Sequence, residues 1–106
     1  MSIKFISVKD IESQFGQLSF GNLLKSFRLG EELSQVALAK KLNCSKQMLN
    51  DIESGRKIPS ISKTHRIAKK IGILPELAIE LLLQDHINRE NLRMIVKVQS
   101  KRTSAA

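Results

Sequence analysis

At 106 residues the chain has the size of one ordinary domain with at most a short arm or tail; its 42% apolar content, with no Trp or Tyr and four Phe, calls for a core of Leu and Ile. No apolar stretch approaches the roughly 20 residues that cross a bilayer, and the start, Met1-Ser2-Ile3-Lys4-Phe5-Ile6, lacks the features of a signal peptide, so a cytoplasmic protein is expected. The net charge of +8 is concentrated: residues 40–70 hold Lys40, Lys41, Lys46, Arg56, Lys57, Lys63, Arg66, Lys69 and Lys70 against only Asp51 and Glu53, a distribution suited to neutralising phosphates and releasing counterions.

Residues 3–8 have extended character, and Ser7 is placed to cap a short helix over 8–14 that Gly16 would end. Phe20, Leu23, Leu24 and Phe27 form one apolar stripe, which predicts a helix over 20–30 ending at Gly30. Ser34 caps a helix from Gln35 to Leu42 with Leu38, Ala39 and Leu42 inward, and Asn43 stands where a left-handed residue is needed. Ser45 caps the next helix, Lys46 to Ser54, with Met48, Leu49 and Ile52 as its apolar stripe and Gly55 as its stop. Ser60 or Ser62 caps a fourth helix to Ile71, buried through Ile67, Ala68 and Ile71 and broken by Gly72. Pro75 suits the first turn of a fifth helix over about 75–88.

That fifth helix is apolar on more than one side, so Leu77, Leu81 and Leu82 are expected at an interface with a second copy; the alternative is that the N-terminal segment folds back over it. Residues 92–99 read as a strand, with 3–8 of the same or another subunit as its candidate partner, and the chain from Lys101 onward reads as a tail. The expected fold class is mainly α, a bundle of about five helices with short terminal strands at 3–8 and 92–99. The expected division is an extension over 1–18, a helical domain over 19–88, and a strand and tail over 89–106.

Residues 35–54 carry the most information. Two short helices are joined by Asn43-Cys44-Ser45, with a small residue, Ala39, where they would cross. The outward face of the second holds Lys46, Gln47, Asn50 and Asp51. Gln and Asn can bond base edges in a bidentate manner, Lys can meet guanine or phosphate, and the major groove admits one such helix. Cys44 has no disulfide partner and reads as a small buried apolar residue, while His65 and His86 have no partners at metal-ligand spacing; no metal, cofactor or small-molecule ligand is expected.

Leu33-Ser34-Gln35-x-x-Leu38-Ala39-x-x-Leu42-x-x-Ser45, followed by Ile52-Glu53-x-Gly55-Arg56 and Pro59-Ser60, resembles the Cro and lambda-repressor-like helix-turn-helix family, often called the XRE family, over roughly residues 20–73. The resemblance implies a bundle of about five helices, usually dimeric, that binds an operator and regulates transcription. It implies Ser45, Lys46, Gln47, Asn50 and Asp51 at the base-facing surface, and Gln35, Arg56, Lys57, Ser60 and Lys63 at the phosphates. It also implies a buried salt bridge between Arg28 and Glu53. Asn43 replaces the usual Gly of the turn, and Val36 and Ala37 replace common polar residues. Asp51 is unusual as an acid: it would either accept from cytosine or turn away toward a Lys or Arg.

The leading expectation is a homodimeric regulator, a repressor, that reads a palindromic site in double-stranded DNA. The alternative is an antitoxin that neutralises a toxin protein and represses its own operon, with segments 1–18 and 85–106 supplying contacts. An enzyme is not expected, because carboxylates are scattered and no nucleophile pairing or Gly-rich phosphate loop is present. Membrane binding is not expected, because the basic residues do not lie along one amphipathic helix.

Overall fold

The structure, a computed structural model, describes residues 18–101. The strand expected at 3–8 and the helix expected at 8–14 lie outside the described residues. Five helices follow in order: α1 (Phe20–Gly30), α2 (Gln35–Leu42), α3 (Lys46–Glu53), α4 (Ile61–Ile71) and α5 (Pro75–Arg89).

Four of the five begin at a serine whose hydroxyl accepts a backbone N–H of the first turn: Ser19 from Asn22, Ser34 from Ala37, Ser45 from Met48 and Ser60 from Lys63. Each cap occupies one donor that the helix itself leaves unpaired, worth about 1 kcal/mol. α5 has no such cap and opens instead on Pro75, whose missing N–H costs nothing there. The left-handed turns fall at Asn43 (φ 58°) after α2 and Gly72 (φ 78°) after α4. After α1 the left-handed residue is Glu32 (φ 56°) rather than Gly30, which is the last helical residue.

α1 packs on α3, α2 packs on α3 and α4, and α5 lies against α4 and α1. Phe20, Leu24, Leu38, Leu49 and Ala68 are almost wholly removed from water at the centre. At about 25 cal/mol per Å² of apolar surface, each such Leu contributes on the order of 2 kcal/mol against leaving it exposed. Gly21 lets α1 approach α3: a Cβ there would stand 2.3 Å from the Ile52 carbonyl oxygen. Within α4, Thr64 is fully buried and its hydroxyl has no partner among the described residues.

Two expectations about the C-terminal half are corrected. Leu81 and Leu82, placed by sequence at a dimer interface, are buried in the chain's own core, because α5 turns them toward the other helices; Leu77 is exposed. Residues 92–99 form no strand: no ladder is present among the described residues, and this segment runs as an extended strap along α5, held by side chains.

Candidate nucleic-acid interface

α2, the turn at Asn43 and α3 place one polar surface on the bundle. Leu49 and Ile52 anchor α3 inward, so its other side faces out, with Ser45, Lys46 and Gln47 exposed and Asn50 half-buried. Arg56 and Lys57 stand exposed in the loop beyond, and Ser60 and Lys63 begin α4, with Ser60 exposed and Lys63 half-buried. The serine hydroxyls at 45 and 60 are already engaged as caps.

The two carboxylates of α3 are both withdrawn from water, in different ways. Glu53 is buried and makes a two-point pair with Arg28: Arg28 Nε donates to Oε2 at 2.8 Å and Nη2 to Oε1 at 3.1 Å. Arg28 Nη1 also donates to the Leu33 carbonyl oxygen at 3.0 Å, so one guanidinium joins α1, the α1–α2 turn and α3. The hydrogen bond to Glu53 raises the Arg28 pKa further above its ordinary value, against the opposing effect of burial. Gln35 Nε2 donates to Glu53 Oε1 at 3.2 Å and to Asn50 Oδ1 at 3.1 Å, which ties the start of α2 to the outward face of α3. Asn50 accepts from Gln35 through one lone pair of its oxygen, and its amide N–H groups have no partner among the described residues.

Asp51, expected among the base-facing residues or turned toward a cation, takes the second position. It is buried, accepts from Arg56 Nε at 3.0 Å and from Gln47 Nε2 at 3.0 Å, and is thereby removed from the outward face. Its backbone carbonyl accepts from Lys57 N–H and Ser54 Oγ. One aspartate therefore orients Gln47 on α3 and two residues of the following loop. Its charge, a liability beside phosphate, offsets that of Arg56, whose side chain remains 57% exposed.

Sequence reasoning missed three contributors. Gly21 sets the α1–α3 approach; its only sequence signal is a glycine inside a helix, where alanine would be favoured by about 1 kcal/mol without a packing reason. Arg89, at the end of α5, donates to the Gly55 carbonyl oxygen at 2.9 Å and steadies the loop carrying Arg56. Asp85 accepts the Phe20 N–H at 3.1 Å and so holds the start of α1. Burial raises the Asp85 pKa, with the Phe20 N–H and the charges of His86 and Arg89 pulling the other way. Asp85 and Arg89 line a cleft of about 370 Å³ with Ser19, Ile58 and Pro59. Cys44 is half-buried against the core, and no cluster of metal-ligating side chains occurs among the described residues. No helix among them is long and apolar enough to cross a membrane.

A capped helix pair joined by a left-handed Asn, with the second helix presenting amides beside a basic loop, defines a helix-turn-helix unit. The chain matches the Helix-turn-helix family (HTH_3) over residues 24–77 and belongs to it. It is 39% identical over 56 residues to an immunity repressor protein of Bacillus phage phi105, covering 53% of this chain and 39% of that one. It is 42% identical over 53 residues to the ImmF control region 10 kDa protein of the same phage, covering 50% and 59% of the two chains. It is also 42% identical over 52 residues to an uncharacterized HTH-type transcriptional regulator, MJ0272, of Methanocaldococcus jannaschii, covering 49% and 79%. The matches thus span less than two thirds of each of the two phage proteins. No solved structure matches the chain.

Proposed function

We propose that the chain is a sequence-specific double-stranded DNA-binding regulator of transcription, a repressor that acts as a homodimer on a palindromic operator. The observation that carries this reading is the division of α3: both its carboxylates are paired with arginines and shielded from water, Glu53 in the interior and Asp51 beneath Arg56 and Gln47, while Lys46, Gln47 and Asn50 remain available on the outward side. Gln47 gives one amide hydrogen to Asp51 and keeps an acceptor and a second donor, the pair that adenine's major-groove edge requires. Asn50 keeps donors, suited to the acceptors of guanine or to thymine O4. Arg56 and Lys57 flank this surface as sequence-independent phosphate contacts, with Gln35, Ser60 and Lys63 beside them. The relatives named as repressor and transcriptional regulator support the regulatory reading.

The test is selection of bound sequences from a random DNA pool, followed by titration of variants. A palindrome is expected, with half-sites about one DNA turn apart. Gln47→Ala and Asn50→Ala should each weaken the selected site by about 1–3 kcal/mol and relax one base position, whereas Arg56→Ala should weaken all sequences alike and lower the salt dependence. Unchanged discrimination in a Gln47→Ala/Asn50→Ala double variant overturns the assignment.

A further inference from the structure

The segment after α5 turns back and runs antiparallel along it. The N–H groups of Val96 and Val98 donate to Gln84 Oε1 and Glu80 Oε1, each at 2.9 Å, and the Met94 carbonyl accepts from Gln84 Nε2 at 2.9 Å. Ser100 Oγ donates to Glu76 Oε1. The spacings explain the fit: residues four apart on a helix are about 6 Å apart, and residues two apart on an extended chain about 6.6 Å. Glu76, Glu80 and Gln84 therefore meet alternate strap residues in turn.

An extended chain points alternate peptide groups to opposite sides. The even-numbered groups face the α5 side chains, so the N–H and C=O groups of Ile95, Lys97 and Gln99 face away, and they have no partner among the described residues. Beside this open edge Ile95 is 82% exposed, Met94 59% and Leu92 48%, while Leu77 is exposed on α5. An open edge of this kind is a template for a further strand.

We propose that the strap pairs antiparallel with the strap of a second copy across a twofold axis at Val96, forming a two-stranded ribbon that joins the dimer. This rests on the homodimer reading above and names its seam. The register follows from three constraints, the last being overlap of the whole strap, which axes at Met94 or Val98 fail because they leave about half of 92–100 unpaired. Odd-numbered residues must face odd-numbered residues, because only their peptide groups point outward. Like charges must not stand directly opposite. An axis at Ile95 sets Arg93 against Lys97, and an axis at Lys97 sets that lysine against itself. An axis at Val96 sets Ile95 against Lys97 and Arg93 against Gln99, and overlaps the whole of 92–100. It also sets Met94 opposite Val98 and Leu92 opposite Ser100, beside the half of α5 where Leu77 is exposed in the other copy. One register thus satisfies the open edge and covers the exposed apolar residues with an identical chain.

The test uses the full chain in a Cys44→Ala background. Residues facing each other across the axis in a non-hydrogen-bonded pair have Cα atoms about 4.5 Å apart, within reach of a disulfide. Val96→Cys should form an interchain disulfide under mild oxidation far faster than Lys97→Cys or the exposed control Glu31→Cys. Lys97→Pro removes an outward N–H and leaves the bonds of Val96 and Val98 to α5 intact; it should raise the dimer dissociation constant at least about tenfold in sedimentation, with unchanged helical circular dichroism. A chain that sediments as a dimer while Val96→Cys crosslinks no faster than Glu31→Cys overturns the seam and leaves the homodimer standing. A chain that stays monomeric at DNA-binding concentrations, yet selects a sequence, overturns both and leaves DNA reading intact.

Discussion

Around α3, Leu38, Leu49 and Ile52 are withdrawn from water and the Arg28–Glu53 pair closes behind them, whereas from Met94 to Val98 the chain is held by side-chain-to-backbone hydrogen bonds and leaves Ile95 82% exposed. The first region gains stability from burial and close packing, so small changes of volume or charge are costly there. The second gains about 0.5–1.5 kcal/mol from each of a few bonds that water can replace. The proposed base-reading surface, with Gln47 and Asn50 at fixed positions, suits the first construction. The proposed pairing of the strap with a second copy suits the second.

The contrast is sharpest in the buried ion pair. Arg28→Met should leave Glu53, whose side chain is 3% exposed, without its cation and destabilise the fold by about 3–5 kcal/mol in denaturant unfolding. Adding Glu53→Leu should restore much of that loss; a double variant as unstable as the single one would mean the pair's packing matters more than its charge. Gly21→Ala comes next, at about 1–3 kcal/mol or more, because the added methyl meets backbone oxygens of Ile52 and Glu53 rather than a side chain able to move. On the strap side, Glu80→Ala should cost about 0.5–1.5 kcal/mol at most and appear first as faster hydrogen exchange at Val98. A global loss as large as that from Gly21→Ala would break the contrast and make the strap part of the core.

The smallest effect concerns Asp85, which stands between the two regions. Its folded pKa is raised above the ordinary 3.8 by burial. Stability associated with its neutral form is therefore fully present below about pH 3.8 and is lost as pH rises through the raised value. Asp85→Asn keeps an acceptor for the Phe20 N–H and removes the charge. The variant should gain on the parent chain as pH rises through that window, and the gap should close below it, in thermal unfolding followed across pH.

The helix pair itself is legible without coordinates, because its signals are local. Ser34 and Ser45 cap, Asn43 takes the left-handed turn, and the apolar stripes repeat at the helical period. The Arg28–Glu53 contact was legible only through the family resemblance, since nothing local relates residues 25 apart. The sites reached from other elements carried no local signal: Gln35 onto Asn50, Arg89 onto Gly55 and Asp85 onto Phe20.

By itself, the sequence determined where the helices start and stop, because caps, glycines and apolar spacing act within a few residues. It also determined that basic residues gather around 40–70. Tertiary structure decided which side each ambiguous residue faces. It covered Asp51 with Arg56 and Gln47, drew Leu81 and Leu82 of α5 into the chain's own core, and laid residues 94–100 along α5 as a strap instead of a strand. The physical reason is common to all three: an aspartate, a leucine or a β-branched run is compatible with several local environments, and only the neighbours brought in from distant segments supply the partner that selects one.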